Sequence, residues 1–274
     1  MKKFTFLLVA AALALSLPVY SKAKTTTKKT KKAANAVEAL KARGTFVLGL
    51  DDSFPPLGFR DDDNEIVGYD IDLAKEVAKR LGVNFKAQPI DWDAKEMELE
   101  TGKIDCIWNG FTITEDRKAA LSMTFAYLDN EQVLVVRNDS GITSLEDMKG
   151  KIIGIQSGSS AQEAVDDNPD FKNSLGDIVS FKDNITALND LKIGGVDAVV
   201  MDSVVANYSI AQTGEPFTVI SKPLANEEYG IGFRRKETVL RDEVEKILKE
   251  MAADGTIAAI STKWFGKDIS VIGK

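Results

Sequence analysis

Short apolar runs and amphipathic stretches alternate along most of this chain. Residues 45–50 (TFVLGL) read as a buried strand, followed by the polar, proline-containing loop DDSFPP. Hydrophobic positions then recur with a helical period. Ala74, Val77, Ala78 and Leu81 share one face of a helix over 70–81, and Gly82 lies just past its end. Asp93 and Glu96 have the spacing of a capping box, which predicts a helix from there to Gly102. Residues 103–108 (KIDCIW) read as a strand feeding a loop, Asn109–Thr112. Thr114 then caps a helix through Leu121, and 132–136 (QVLVV) is another strand.

The following stretch repeats this vocabulary. After a short helix over 144–149, the run 151–155 (KIIGI) has the apolar-Gly-apolar centre of the first strand and enters GSSAQEA, a Gly/Ser turn opening a helix. An amphipathic helix over 184–193 leads into Gly194-Gly195-Val196-Asp197, which parallels Gly102-Lys103-Ile104-Asp105. The strand 198–201 ends at Asp202, and residues 238–265 read as helical. Apolar strands alternating with helices predict an α/β fold of parallel sheets covered by helices. Two such halves predict two lobes with a cleft between them, and Trp264-Phe265 as a contact back to the first.

The amino terminus lies outside that pattern. Met1-Lys2-Lys3 precedes sixteen residues, FTFLLVAAALALSLPV, a run short for a membrane span and broken by Pro18. This reads as a signal peptide with cleavage after Ser21 or Ala23, and no Cys nearby offers a lipoprotein anchor. Six lysines and no acid follow before Ala36, a composition that predicts a disordered tail. The expected organisation is a signal peptide (1–23), a lysine-rich tail (24–38), one discontinuous lobe (39–132 and 229–269) and a second lobe (133–228).

This leader changes the charge count. The whole chain carries 35 Lys plus Arg against 42 Asp plus Glu, a net −7. Without the eight lysines of the leader and tail, the body stands at −15, which argues against nucleic acid or an anionic membrane as partner. Zero His and a single Cys, Cys106, exclude a Ser-His-Asp triad, a Cys-His pair, an internal disulfide and the common zinc sites. No cofactor or metal is expected.

In open α/β sheets, ligands sit beyond the carboxyl ends of the strands. There this chain places Asp51, Asp52 and Phe54, then Asn109 to Thr112 with Arg117, then Ser157 to Ser160, then Asp202. Such a set suits a zwitterion. Arg117 can fork onto a carboxylate, backbone N–H groups near Thr112 and Ser160 can assist, and Asp202 can accept from an ammonium. Phe54 and Trp92 can flank a side chain, with a cation–π contribution of roughly 0.5–2 kcal/mol for a cationic one. Plainer roles exist for each residue. Arg117 could pair with Glu115, Asp202 could cap the next helix, Trp92 could be packing, and Ser159 and Ser160 could only close a capped turn.

Taken in order, SFPPLGFRDDDNEIVGYDIDLAKEVAKRLG, GKIDCIWNGFTITEDR, GKIIGIQSGSSAQEA, GGVDAVVMDS and EEYGIGFRR resemble the bacterial extracellular solute-binding proteins of family 3, over roughly residues 40–267. The resemblance implies two α/β lobes, each a mostly parallel sheet flanked by helices. It also implies two hinge strands near 130–135 and 226–230, and closure on an amino acid that is handed to a membrane permease. It implies a periplasmic monomer with no enzymatic activity. Arg117 would clamp the α-carboxylate, with Thr112 and the backbone around Ser159 and Ser160. Asp202 and the Gly110 carbonyl would take the ammonium, while Asp51, Phe54 and Trp92 read the side chain.

The chain departs from the family where many members have paired serines, here Asn109-Gly110, and Trp108 is bulkier than usual. Asp51, Asp52 and Glu96 point toward a basic ligand, although an acid at the Asp51 position also occurs in glutamine receptors of the family. The alternative is an exported dehydratase acting on cyclic prephenate-like acids, with one of these carboxyls as general acid. A receptor-kinase sensor module is disfavoured.

Overall fold

The structure, a computed structural model, describes residues 36–274. The expected signal peptide and most of the lysine-rich tail lie outside the described residues. The tail was expected to reach residue 38, but residues 36–43 are helical. Leu40 is buried there, and Ala36 and Val37 pack against the core, so this segment has an apolar face to hide.

The elements run in order β1 (Thr45–Leu50), β2 (Ser53–Phe54), β3 (Gly58–Arg60), β4 (Ile66–Val67), α1 (Tyr69–Leu81), β5 (Asn84–Pro89), α2 (Lys95–Glu100), β6 (Cys106–Thr112), α3 (Glu115–Ala120), β7 (Leu121–Met123) and β8 (Leu128–Arg137). Then follow β9 (Ile152–Gln156), α4 (Ser160–Asp166), α5 (Pro169–Ser174), β10 (Asp177–Phe181), α6 (Asn184–Ile193), β11 (Ala198–Asp202), α7 (Ser203–Thr213), β12 (Phe217–Val219), β13 (Ala225–Arg234), α8 (Thr238–Ala253) and α9 (Thr256–Phe265).

The first lobe holds β5-β1-β6 in parallel, and the second holds β10-β9-β11 in parallel. Two long antiparallel strands join them. β8 pairs with β13 over residues 128–132 and with β11 over 132–136, while β13 turns from β8 to β6 and β7 after Tyr229. Each crossing strand therefore gives half its length to the hinge and half to a lobe, and one ladder, β10-β9-β11-β8-β13-β6-β1-β5, runs through both. Apolar strands suit this position, because helices cover both faces.

The sequence repeat has a structural meaning. Asp105 exchanges two hydrogen bonds with Val47, one from the Val47 N–H to its carboxylate (2.8 Å) and one from its own N–H to the Val47 carbonyl (2.7 Å). Asp197 does the same with Ile152 (2.9 and 2.8 Å). In each lobe the aspartate pins the entry of the third parallel strand to the start of the first.

Several local expectations change. Asp93 makes no capping box: a 3-10 turn (Trp92–Ala94) precedes α2, whose first residue is Lys95, and no side chain caps either. Asn109–Thr112 is not a loop but the end of β6, because Phe111 and Thr112 pair with Gly230 and Tyr229 of β13. The helical tail is two helices, interrupted at Gly255. Phe265 does pack edge-on against Tyr69 of the first lobe (ring centroids 5.1 Å), and Trp264 Nε1 donates to Asp72 (2.9 Å). Among the described residues, no helix is long and apolar enough to cross a membrane.

Candidate functional site

The carboxyl ends of the two parallel sheets face each other across a narrow, almost filled cavity of about 10 Å³, room for a single water. Phe54, Trp92, Gly110, Thr112 and Arg117 line it from the first lobe, and Gln156, Ser159, Ser160 and Asp202 from the second. The lobes touch around it. Thr112 Oγ1 lies 3.0 Å from Ser160 Oγ, Gln156 Nε2 donates to Asp51 Oδ2 (2.7 Å), and Lys95 Nζ donates to the Gly158 carbonyl (2.8 Å). This is a closed form. At Gly158 (φ +69°), an added Cβ would fall 2.8 Å from Asp93 Oδ1 of the facing lobe, so only glycine allows the approach.

Arg117 supplies the cation. Thr114 caps α3, accepting from the Arg117 N–H (3.3 Å), and so starts the turn that projects the side chain. Its guanidinium stacks on Phe111 (4.2 Å to the ring centre) and donates through Nη1 to the Thr112 carbonyl (2.8 Å). The suggested pairing with Glu115 does not form; Glu115 is bridged by Lys118 (2.8 Å). No carboxylate lies within ion-pair distance of Arg117 among the described residues, and burial pulls its pKa below the usual guanidinium range. The remaining donors thus stand beside the cavity with no anion on them.

Asp202, at the end of β11, supplies the anion. It precedes α7 without capping it by its side chain. Its Oδ1 accepts from Tyr229 Oη (2.7 Å), Asn130 Nδ2 (2.8 Å) and Gln132 Nε2 (3.0 Å). That cage leaves Oδ2 outside it. Burial first, then the charge of Glu227, push the Asp202 carboxyl up to about 7.

Gly110 lies between them at φ +55°. A side chain there would meet Leu57 and Phe54 at 2.8 Å. Its N–H donates to Asp70 Oδ2 (2.8 Å), a fully buried carboxylate that also accepts from Tyr127 Oη (2.9 Å) and that burial raises to about 7. Phe54 and Trp92 form the apolar walls, and Trp92 packs edge-on against Phe111 (5.9 Å). Ser160 faces Thr112, but the Ser159 hydroxyl serves its own turn, donating to the Gln156 carbonyl (2.8 Å).

Two of the expected residues stand behind the wall rather than in it. Asn109 is buried, and its Oδ1 accepts from the Asp51 N–H (3.0 Å). Asp51 reaches the cavity only through Gln156; its other oxygen accepts from the Ser53 N–H (2.9 Å), and burial above all raises it to about 6. Nor do the other acids gather there. Asp52 pairs with Arg60 (2.6 Å), and Glu96 is half-buried beside Lys95 (3.5 Å), from where its charge reaches Arg117 without forming an ion pair. Sequence reasoning missed Asn130, Gln132, Gln156, Tyr229 and Glu227. The available signal was a glutamine at the edge of an apolar run, in QVLVV and IIGIQ. Both glutamines are buried, and a buried amide needs partners. Among the described residues, no group of three or more metal-binding side chains is present.

Known proteins share this architecture. The L-cystine-binding protein TcyJ of Escherichia coli is 31% identical over 233 residues, covering 84% of this chain and 86% of the relative. A substrate-binding protein of an ABC uptake transporter from Streptococcus pneumoniae, solved with bound histidine, superposes with TM-score 0.83 at 36% identity, covering 85% of this chain and 97% of that one. Tv2483, solved with L-arginine, gives TM-score 0.84 at 31% identity over 88% and 98%. The model of the bacterial extracellular solute-binding proteins, family 3, matches residues 46–267, and the chain belongs to that family.

Proposed function

We propose that this protein is the substrate-binding component of an amino-acid ABC importer, taking a polar L-amino acid between its lobes and presenting the closed form to a membrane permease. The carrying observation is a cation and an acid facing one cavity, each with bonding capacity unused: Arg117 without an anion in the first lobe, and Asp202 with a free oxygen in the second. An α-carboxylate on Arg117 and an α-ammonium on Asp202 complete both, with Thr112, Ser160 and the Gly110 carbonyl close by. The names of the relatives, which bind cystine, histidine and arginine, agree with this class.

The side chain then lies between Phe54 and Trp92 and meets Gln156. Asp51 behind Gln156, with Asp52 and Asp183 adding negative potential, favours a basic side chain such as arginine or lysine. Closure follows from differential contact, because only the closed form offers the ligand both lobes at once. The lobes bend at residues 130–135 and 226–230, between segments 39–132 with 229–269 and 133–228. The protein works as an exported monomer outside the cytoplasmic membrane, without a lipid anchor.

Calorimetric titration with the twenty amino acids, ornithine, citrulline and cystine tests this reading. The expected outcome is sub-micromolar to micromolar binding of one or a few polar members, basic ones first; no heat from any of them overturns it. The second reading, a prephenate- or arogenate-type dehydratase, has one observation in its favour, the raised Asp51 carboxyl behind Gln156 of the cavity wall. It predicts aromatic product on incubation with those acids, where the binding reading predicts none.

A further inference from the structure

Glu227 on β13 opens the EEYGIGFRR run, where the family resemblance assigns it no role, yet it joins the two halves of the site. Its Oε2 accepts from Thr112 Oγ1 (3.0 Å) on β6, and from Asn130 Nδ2 (3.0 Å) and Gln132 Nε2 (3.0 Å) on β8. The last two are the amides that also donate to Asp202 Oδ1. Two carboxylates thus hang on the same two NH₂ groups, and Thr112 ties this cage to Ser160 across the cleft. The cage belongs to the hinge, because Asn130 and Glu227 are paired residues of the crossing strands, Glu227 opposite Asn130.

We propose that Glu227 is the positioning residue of the ammonium anchor, and that the Asp202 carboxyl, held on the same donor cage as Glu227, keeps a proton in the empty site and gives it up when an amino acid's ammonium arrives. The inference rests on the amino-acid-binding reading above. The physical case is geometric: two acids around one donor cage, with no cation bonded to either among the described residues, disfavour a double charge. The surroundings reinforce it. Tyr229 from β13 and Asn130 and Gln132 from β8 face Asp202. Around Glu227 stand Asp129 and Glu131 of β8, Glu228 of β13, and Glu163 and Asp167 of α4 and the residue after it, all lining a second, open cleft of about 770 Å³. Arg117 is a cation whose field reaches both acids, and the ligand carboxylate neutralises it on binding. The raised pKa of Asp202, caused by burial and then by Glu227, has the same sense. Glu227 and Ser203 border the open cleft, so the displaced proton has water beside it.

The arriving ammonium replaces the proton as the compensating charge: Asp202–COOH becomes Asp202–COO⁻ with the ammonium on Oδ2, and the proton passes to buffer. The affinity for an amino acid therefore rises with pH between 6 and 8, and binding releases a fraction of a proton at pH 7.

The test is titration calorimetry of the full protein with its preferred amino acid at pH 7, in phosphate, Hepes and Tris, whose ionisation enthalpies differ. The slope of observed enthalpy against ionisation enthalpy counts protons. Wild type should release between about 0.3 and 1 proton. In Glu227→Gln the release should fall to less than half, burial of Asp202 keeping the remainder, and the affinity should depend more weakly on pH from 6 to 8 while falling about tenfold at pH 8. Glu227→Asp should restore part of the pH slope, which a merely structural residue would not do. A wild-type slope of zero overturns the proposal without any variant, and so does an undiminished proton release in Glu227→Gln. If wild type binds no amino acid at all, the functional reading fails first and this inference with it.

Discussion

Asp105 and Asp197 hold equivalent places in the two lobes, each exchanging the same pair of hydrogen bonds with the first strand of its own sheet. Beyond the carboxyl ends of those sheets the likeness stops. The first lobe brings a guanidinium and two aromatic walls, whereas the second brings hydroxyls, an amide and a carboxylate. A repeated scaffold thus presents two complementary halves of one recognition surface. Under the proposed function, the first half would hold a carboxylate and a side chain alone, and the second would complete the ammonium contact on closure.

The sharpest way to break this division is at its charges. Arg117→Ala should remove amino-acid binding by about a thousandfold, and Asp202→Asn by about a hundredfold. Truncating a desolvated charged partner costs roughly 2–5 kcal/mol, and each 1.4 kcal/mol is tenfold. Calorimetry would show it, and equal losses would erase the asymmetry between the lobes.

The matched aspartates give a second comparison. Asp105 is almost wholly buried and also carries Arg43 (2.6 Å) and Arg234 (3.6 Å), while Asp197 is 29% exposed and faces only Lys151 (3.5 Å). Asp105→Ala should lose about 3 kcal/mol in urea unfolding, and Asp197→Ala about 1 kcal/mol. Similar values for both would mean that the shared backbone bonds, not the ion pairs, set the cost.

Acidity gives a subtler test. Asp51 at about 6, and Asp70 and Asp202 at about 7, all lie above their unfolded values, so the folded state binds more protons than the unfolded one between pH 4 and 7. Their contribution to stability is present at pH 4 and is lost as the pH rises through those values. The melting temperature of the ligand-free protein should therefore fall from pH 5 to 7.5, and Asp202→Asn should fall less. The smallest effect belongs to the far end of the cleft. Gln156→Ala removes one inter-lobe bond and should weaken binding only a few-fold, with a larger radius of gyration for the ligand-free form in solution scattering.

The strands β1, β6, β8, β9 and β11 were legible as apolar runs, and β1 and α6 have the limits their patterns imply, whereas the half-exposed outer strands β5 and β10 gave no such run. Arg117 and Asp202 were legible too, as charges placed after strands. What escaped depends on contacts distant in sequence. Asn109-Gly110 has the composition of a turn, but the ladder to β13 holds it extended. The Asp93–Glu96 spacing fits a cap, but burial of Trp92 turns the chain through a 3-10 turn first. Gln132, Gln156 and Glu227 become meaningful only when hinge and cleft bring them beside Asp202 and Asp51.

The crossing strands carry one more consequence, mechanical in kind. The second lobe is entered on β8 and left on the neighbouring, antiparallel β13, while β1 and α9 both belong to the first lobe. A pull applied between those two elements is borne by the first lobe, and the second hangs outside the load path. It can swing open and shut on its two-stranded strap while the rest of the molecule is held fast.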